Sequence, residues 1–436
     1  MAPDFALHRA ILENDLDSFY RVLDAREDGT AALNEYDQNG NTPLMLAIHF
    51  KRLEMVRELL ERDADCAKKA QSGWSPFHEA LISGSVEIAL MVQRKCSAKK
   101  LRDVSERLPG IIEGLRESPN FYTELSWKCS SWIPLVSRFA PSDTYKIWKV
   151  GCTLRVDLTL ISFNNLKSVR GNRSILFIAP KAVGEKTKIY LLDTDQKRYQ
   201  DLSDLVNLTC DDDSKILKKI YERRAQKCFV LPQVVTKDCT FELVGKEGDR
   251  METVCGYPCR RYSMKHFCYR LFYRKLKSPV SSSRGGGSDA ADRLLDNSVE
   301  DSLAMDWEEY KASAKVEKGA VYPLLYKHEV LTQTQKVFRG TVFITQSFPR
   351  KITEFLPIFQ IILLTSHPYR FKKILNFVQM KLPDNGFPIR FEIPVFPKIQ
   401  VQVSFLNYRE LLPDQVDASL FEVPEGFRPY SSAPPS

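Results

Sequence analysis

The segment GNTPLMLAI at residues 40–48 is followed 33 residues later by GWSPFHEAL at residues 73–81. Each shared residue type has a mechanical reason, because glycine suits a tight turn, Thr or Ser caps a helix, proline starts it and alanine lets helices approach closely. A 33-residue period of this kind predicts a stack of ankyrin repeats. The aligned pairs are Gly40 with Gly73, Thr42 with Ser75, Pro43 with Pro76, Leu44 with Phe77, and Ala47 with Ala80.

A third unit precedes these two, because LHRA at residues 7–10 repeats the helix pattern, with four extra residues that fit an enlarged loop. Apolar residues such as Leu59 form one face of each second helix. Three stacked units are about the minimum that buries a continuous core. A further helical stretch, interrupted near Pro109, is predicted to cap the stack. His8 and His78 are expected to serve local hydrogen bonds, in preference to a catalytic or metal-binding role.

From about Phe121 the apolar residues alternate every two positions, which is typical of strands. FYTELSWKC, residues 121–129, and CTLRVDLTLISF, residues 152–163, are the clearest examples. The segment between them, residues 131–151, is predicted to be helical in two pieces, with Ser142 or Asp143 as a cap. Further strand patterns later in the chain, with few helices between them, predict a largely antiparallel domain.

The predicted fold class is therefore α+β: an N-terminal ankyrin-repeat helical solenoid followed by a largely antiparallel, β-rich α+β domain. A Ser- and Gly-rich stretch with few large apolar residues predicts a disordered linker or insertion inside the second domain. The expected bounds are 1–118 for the repeats with a capping helix, 119–277 for the first part of the α+β domain, 278–306 for the linker, 307–425 for the second part, and 426–436 for a flexible tail.

The chain lacks the sequence signatures of catalysis and of phosphate binding: H-E-x-x-H, G-x-S-x-G, G-x-x-x-x-G-K-[ST] and G-x-G-x-x-G. We therefore expect neither enzymatic activity nor a cofactor. The strongest rival hypothesis is a zinc site in CGYPCRRYSMKHFC, whose four candidate ligands are Cys255, Cys259, His266 and Cys268. Because the spacing of these residues is loose, we favour core or surface thiols over metal ligands, and we expect no bound metal.

Three observations predict a protein of the cytosol or nucleus. The longest apolar run, FLPIFQIILL at residues 355–364, is about half the length that a membrane-spanning helix needs. The first twenty residues carry acidic side chains where a secretory signal would be basic and then apolar, so export is not expected. Ten scattered cysteines fit free thiols in a reducing compartment.

Positive charge is concentrated in one part of the chain. Residues 214–277 hold 16 Lys or Arg against 6 Asp or Glu, while the whole chain has a net charge of +8. One interpretation is a solvated face, and the other is a surface for an anionic partner. No nucleic-acid-binding motif accompanies the charge, so nucleic acid is not expected, and the anionic partners that remain open are a membrane surface and the acidic loop of a membrane protein.

Several motifs beyond the repeats carry a family resemblance: LRVDLTLISF, WEEY, FVQMKLP and GFPIRFEIPVFP. With the ankyrin stack before them, they resemble the ankyrin repeat domain-containing 13 family, also called the GPCR-chaperone family. The resemblance implies a non-enzymatic escort that binds newly made G-protein-coupled receptors at the cytosolic face of the endoplasmic reticulum, as a peripheral membrane protein, and regulates their biogenesis and exit.

Some members of that family carry acidic ubiquitin-interacting helices after this region, and no such helix follows FEVPEGFRPY here. The chain therefore most resembles the C-type member. The alternative function that the resemblance leaves open is an ankyrin scaffold in ubiquitin-linked endocytic trafficking of membrane receptors.

The concave face of an ankyrin stack is formed by turn tips and by outward positions of the first helices. The candidate partner-binding residues on this basis are Gln38, Asn39, Leu46, Ser72, Trp74 and Glu79. Trp74 is the strongest single candidate, because an exposed aromatic side chain is a common anchor of interfaces. The alternative for Trp74 is that it folds back against the capping helix or the β domain as part of a core.

Overall fold

A computed structural model describes most of the chain, and the residues it describes are 5–25, 32–71, 73–131, 139–164, 167–180, 185–203, 217, 228–235, 240–244, 251–276, 306–312, 329–365, 382–396, 399–412 and 416–430. The chain forms two compact units. The first comprises Met1–Leu101, Thr209–Gln233 and Arg270–Gln335. The second comprises Arg102–Leu208, Val234–Tyr269 and Lys336–Ser436. The expected linker at 278–306 lies outside the described residues, apart from Asp306 at its end.

In the part of the repeats that the structure describes, three pairs of helices follow one another along the chain. They are α1 (Ala6–Glu13) with α2 (Leu16–Asp24), α3 (Pro43–His49) with α4 (Leu53–Glu61), and α5 (Pro76–Ser83) with α6 (Val86–Glu117). The Thr42 hydroxyl accepts a hydrogen bond from the Met45 N–H, and Ser75 does the same for His78, each at 3.3 Å. Hydroxyl caps followed by proline therefore start α3 and α5, as the repeat pattern predicts.

The turn before each of these helices is fixed by a left-handed glycine and by short backbone bonds. Gly40 and Gly73 have φ values of +74° and +85°, a conformation that favours glycine. The Gln71 N–H donates to the Gly40 carbonyl over 2.8 Å, which couples one turn to the next. A Cβ at Gly40 would lie 2.5 Å from the Gln71 Cβ, so this contact needs glycine as well. The aligned glycines thus set both the turn and its stacking.

The helix α6 differs from the sequence prediction. It runs unbroken for 32 residues through Pro109, where the sequence predicts an interruption. Pro109 and Gly110 are exposed, so water can satisfy the carbonyl that loses its partner at the proline. The last two turns then bury Ile111 and Leu115 in the core of the second unit. Because the proline is exposed, water can replace the lost hydrogen bond, which is consistent with a helix that continues where the sequence predicts an interruption.

Fourteen strands among the described residues form one sheet, in the order β14-β6-β5-β4-β3-β2-β1-β13-β12-β11-β10-β7, with β8 and β9 paired to β10. They are β1 (Phe121–Ser131), β2 (Ser142–Val150), β3 (Thr153–Asn164), β4 (Lys167–Ile178), β5 (Lys188–Asp193), β6 (Arg198–Asp201), β7 (Cys228–Val235), β8 (Thr240–Leu243), β9 (Glu252–Val254), β10 (Tyr257–Leu276), β11 (Glu329–Thr345), β12 (Phe387–Phe396), β13 (Ile399–Glu410) and β14 (Arg428–Pro429). Two further helices are α7 (Trp307–Ala312) and α8 (Leu356–Thr365). The α+β fold class is confirmed.

The sheet is largely antiparallel, and among the strand pairs described here only the short pair of β14 with β6 is parallel. β1 lies near the middle, where Leu125 is opposite Tyr145 of β2 on one side and Phe405 of β13 on the other. Pro388 and Pro394 both lie next to register shifts of β12, so a proline interrupts the ladder of an inner strand only at irregular positions.

The strand β2 corrects a second prediction, because residues 142–150 form a strand and not a capped helix. Asp143 does act as a cap, but it caps a bulge of the neighbouring strand. Its carboxylate accepts hydrogen bonds from the Thr159 hydroxyl at 2.7 Å and from the Leu160 N–H at 2.8 Å. The register of β3 against β4 shifts between Leu158 and Leu160. The sequence therefore predicts a capping role for Asp143, but it predicts a helix as the capped element, whereas the structure shows the bulge of β3.

An aromatic cluster fills the core beneath the sheet. The rings of Phe348 and Phe387 stack with centroids 3.7 Å apart, and Phe405 meets Phe387 edge-on at 4.8 Å. Phe355 lies just before α8 and is 1% exposed, and the centroid of its ring is 5.5 Å from that of Phe405. Strands from distant parts of the chain therefore share one apolar core, of the size that dominates the stability of a domain.

Candidate protein-interaction site

The six residues proposed for partner binding do not form one exposed surface. Gln38 is exposed, and Ser72 lies outside the described residues. The other four are buried: Asn39 at 6% exposed, Leu46 at 0%, Trp74 at 3% and Glu79 at 3%. The expectation that these four side chains face outward is wrong, and the physical reason differs from residue to residue.

Leu46 is buried because α3 is the first helix of the middle repeat. Every residue from Pro43 to His49 is buried, since α1 covers α3 on one side and α5 covers it on the other. Leu46 joins the apolar core of the repeats with Ile48 and Val56. An outward position in a single repeat is thus covered once its neighbours stack on it.

Trp74 packs within the repeats, which supports the core alternative. Its indole clusters with Met45 and Ala70, and its ring meets the His78 ring edge-on at 5.9 Å. Met45 lies in α3, His78 lies in α5 and Ala70 lies in the adjoining turn, so these contacts are made within the repeats. Trp74 therefore seals the junction between two turns of the stack.

Glu79 is held by a second buried polar contact between first helices. Its Oε1 lies 2.7 Å from Nδ1 of His49, and both side chains are almost fully buried. A hydrogen bond between a carboxylate and an imidazole inside the protein fixes α3 against α5, since either partner left alone would carry a large desolvation cost. The interaction is structural.

His8 and His78 serve the turns, as expected. Nε2 of His8 donates to the Asn41 carbonyl at 3.2 Å, and Nδ1 of His78 lies 2.6 Å from the Ser75 hydroxyl. Burial lowers the pKa of His8, although the nearby Asp37 carboxylate opposes this shift. A neutral imidazole at position 8 is therefore favoured in the folded protein.

A buried polar contact that the sequence does not predict lies at the same turn. Tyr310, in α7, is 0% exposed and belongs to the core of the repeats. Its hydroxyl donates to Oδ2 of Asp37 at 2.5 Å and accepts from Nδ2 of Asn41 at 3.0 Å. Nδ2 of Asn39 donates to the Tyr310 backbone carbonyl, also at 3.0 Å. We call His8, Asp37, Asn39 and Asn41 the turn pocket.

The charge of the turn pocket is concentrated on Asp37. Besides the tyrosine, its carboxylate accepts from the backbone N–H of Asn39 at 2.9 Å and of Asn41 at 2.8 Å. Burial raises the pKa of Asp37, and these donors together with His8 oppose the shift. Burial, reinforced by Asp37, raises the pKa of Tyr310 well above its ordinary value. The phenol is therefore strongly held in its neutral, donating form.

Placing α7 in the first unit also changes the expected domain bounds. The sequence puts residues 307–425 wholly in the α+β domain, whereas Trp307–Ala312 belongs with the repeats. The signal available in the sequence is the motif WEEY, whose tryptophan and tyrosine lie three apart and so share one helical face. Nothing local indicates which distant surface that face covers.

The outer ends of the turns offer an exposed polar surface. The Tyr36 hydroxyl donates to the Lys69 carbonyl at 2.7 Å, and the Lys68 ammonium lies 4.2 Å from the Tyr36 ring centroid. Gln38 and Gln71 are exposed beside them. These contacts hold neighbouring turn tips in a fixed relation, which is what a preorganised binding surface requires.

Nothing among the described residues brings three His, Cys, Asp or Glu side chains together as a metal site. Of the zinc candidates, Cys259 is fully buried, and burial raises its thiol pKa to about 11. Cys255 lies in the turn between β9 and β10, where its sulfur is 3.6 Å from an Arg390 nitrogen. His266 and Cys268 are in β10, but their side chains lie outside what the structure describes.

Among the described residues, no helix is both long enough and apolar enough to cross a bilayer. The N-terminal region consists of stacked helix pairs whose turns contain glycines in the left-handed conformation, and a large antiparallel sheet follows it. This architecture defines an ankyrin-repeat protein, a class that binds other proteins. A family model for three ankyrin repeats matches residues 7–101, and one described as ANKRD13 C-terminal matches residues 155–317 and 281–428. The chain belongs to the ankyrin repeat domain-containing protein 13 family.

Similar proteins support this assignment along nearly the whole chain. Ankyrin repeat domain-containing protein 13C of Mus musculus is 31% identical over 97% of this chain and 77% of its own length. The Danio rerio protein 13C is 31% identical over 97% of this chain and 86% of its own length. Human protein 13B is 28% identical over 87% of the chain and 64% of its own length. The predicted likeness to the C-type member is confirmed, and a role in protein interaction follows from the repeats.

Proposed function

We propose that the chain is a non-enzymatic escort that binds newly made G-protein-coupled receptors at the cytosolic face of the endoplasmic reticulum and regulates their biogenesis and exit. The observation that carries the proposal is the similarity to 13C proteins over 97% of the chain, together with the receptor-chaperone role that this family resemblance implies. The ankyrin repeats supply the general capacity to bind proteins.

The client surface that we propose is the row of turn tips, with Gln38 as its representative from the sequence-based set. The tips are exposed and held to one another, whereas Leu46, Trp74 and Glu79 are structural. Exposed amides and ammonium groups on fixed turns suit a polar client segment better than a deep apolar cleft does.

We also propose that the basic segment at 214–277 contacts the anionic membrane surface. Its described part around β8 to β10 combines apolar and basic side chains at the surface. Leu243 is 39% exposed, Val244 46% and Met251 60%. Arg260 and Arg261 are exposed on the neighbouring strand, and the Val244 N–H donates to the Arg261 carbonyl at 2.9 Å. Apolar side chains beside arginines suit the headgroup region of a membrane.

Proximity labelling in cells tests the escort proposal. A biotin-ligase fusion of the full chain is expected to label immature receptors of the endoplasmic reticulum far more than receptors of the cell surface. The same fusion carrying Gln38→Ala and Gln71→Ala should label them less, with its level and thermal stability unchanged. Labelling of resident cytosolic proteins without receptors would contradict the proposal.

The same experiment separates the alternative, an ankyrin scaffold in ubiquitin-linked endocytic trafficking. Enrichment of endosomal, ubiquitinated receptors would favour that alternative over the escort. Binding of the purified full chain to polyubiquitin chains, measured by surface plasmon resonance, would support it directly. We expect no saturable ubiquitin binding.

Membrane contact is tested by co-sedimentation of the chain with vesicles. Binding to vesicles containing anionic phosphatidylserine is expected, and binding to neutral vesicles is not. Arg260→Glu with Arg261→Glu should weaken it by roughly tenfold or more, given about 1 kcal/mol per basic residue near such a surface. Lys167→Glu with Lys188→Glu is the matched control, since it changes the net charge equally at exposed positions elsewhere. Equal losses in both variants would mean that only net charge matters.

A further inference from the structure

The contact of α7 with the repeats has the features of a bound ligand. Two side chains of α7 make the contact. Tyr310 is fully buried, and the Trp307 ring stacks on the Tyr310 ring with centroids 5.7 Å apart and 27° between the ring planes. Glu308 faces away, with its side chain 78% exposed. A helix of six residues is not stable by itself, so the surface that receives this one maintains its helical form.

The turn pocket is chemically selective for tyrosine. Asp37 requires a donor, and Asn41 offers one, at 2.5 and 3.0 Å from the same phenolic oxygen. Phenylalanine would fill the space and leave both polar groups buried without this partner, which costs more than the bonds themselves contribute. The Asn39 amide also donates a hydrogen bond to the backbone carbonyl of Tyr310. The pocket therefore fixes the chain direction of its ligand as well.

We propose that the turn pocket is a peptide-binding site for a short helix of the form Trp-x-x-Tyr, which residues 307–310 occupy in cis and which a partner helix of the same chemistry occupies when the site is free. A tethered segment has an effective concentration on the order of millimolar, so a partner peptide of ordinary affinity competes poorly while the cis segment is intact. This inference is independent of the receptor-escort proposal.

Fluorescence anisotropy of the full chain with a labelled peptide of residues 304–314 tests the site. In the variant Trp307→Ala with Tyr310→Ala, the pocket is emptied, and saturable binding of the peptide is expected. The intact chain should bind the same peptide at least tenfold more weakly, because its own segment occupies the site. A peptide with phenylalanine in place of tyrosine should bind the emptied variant roughly tenfold more weakly or worse, the range of a buried hydrogen bond to a charged group.

Three results would overturn the inference: a folded emptied variant that does not bind the peptide, equal binding by the intact and emptied chains, or no discrimination between tyrosine and phenylalanine. Loss of folding in the emptied variant, seen by circular dichroism, would also overturn it, since an exchangeable ligand is not needed to fold the repeats. None of these outcomes depends on receptor labelling. The escort proposal is therefore tested independently of the turn pocket.

Discussion

The repeats and the sheet are stabilised by contacts of very different reach. In the repeats, polar bonds join residues about one repeat apart: His8 with Asn41 and Tyr36 with Lys69 are each separated by 33 positions. In the sheet, the Thr123 hydroxyl donates to the Leu406 carbonyl across 283 positions. Apart from the contact of Tyr310, the polar bonds of the repeats therefore join near neighbours, whereas the sheet depends on joining the two ends of its sequence.

The two regions also differ in what fills them. Polar pairs such as His49 with Glu79 are buried between the helices of the repeats, but the core under the sheet is a cluster of phenylalanines. Directional bonds tolerate little change of chemistry, and packed rings tolerate little change of volume. We therefore expect substitutions to destabilise the two regions for different reasons: lost polar bonds in the repeats and lost packing volume under the sheet.

The largest loss is expected for Phe355→Ala, which removes a fully buried ring that meets Phe405 at 5.5 Å. Truncating such a side chain costs about 3–5 kcal/mol of unfolding free energy. Hydrogen exchange should show the loss in β1 and β13, with the amides of α3 and α5 less affected. Phe139→Ala, at a position 50% exposed, is the control and should change stability by less than about 0.5 kcal/mol. Equal losses in both variants would contradict the role of the cluster.

Trp74→Ala is expected to destabilise the repeats by about 3 kcal/mol, because the indole packs against Met45 and Ala70. Molecules that remain folded should still capture clients. Gln38→Ala at the exposed tip should do the reverse, with stability unchanged and capture reduced. If Trp74→Ala abolished capture and left the melting temperature unchanged, the interpretation of Trp74 as an interface anchor would be restored.

Lys149 is a polar exception within the sheet region, and its effect depends on pH. It is 1% exposed, its ammonium donates to the Ser118 carbonyl, and burial lowers its pKa to about 8. Because the folded pKa is below the unfolded value, the chain gains stability as pH rises from about 8 towards 10.5. The gain relative to Lys149→Met should be about 2–3 kcal/mol. The measurement is the unfolding free energy in urea as a function of pH. If it changed with pH in the same way for both proteins, the prediction for Lys149 would be wrong.

The smallest effect is expected for Gly40→Ala, about 1–2 kcal/mol. Its φ of +74° disfavours any Cβ, and the Gln71 side chain lies where that Cβ would be. Gly151→Ala is a matched control, since its φ is +54° but nothing lies within 4 Å of the added atom. The difference in melting temperature between the two variants isolates the contact between turns from the strain of the backbone.

The sequence was informative where structure repeats locally and less so elsewhere. Thr42 and Ser75 cap their helices as the 33-residue period predicts, and strands such as β1 and β3 follow from alternation. The period identifies equivalent positions, but it does not say which of them the next repeat covers. The sequence therefore predicts an exposed position for Leu46, whereas the structure buries it. Partners far away in the chain decided the rest: Asp143 caps a strand bulge, and Tyr310 enters a turn about 270 residues earlier.

The pairing of β1 with β13 has a consequence for synthesis on the ribosome. β1 ends at Ser131 and its partner begins at Ile399, so one edge of β1 must wait while the intervening chain is translated. At typical elongation rates of about 5–20 residues per second, the delay is on the order of tens of seconds. An open strand edge attracts other strands during such an interval. The nascent chain is therefore expected to need a holding chaperone until its last long strand emerges, and premature termination before residue 399 would leave that edge open permanently.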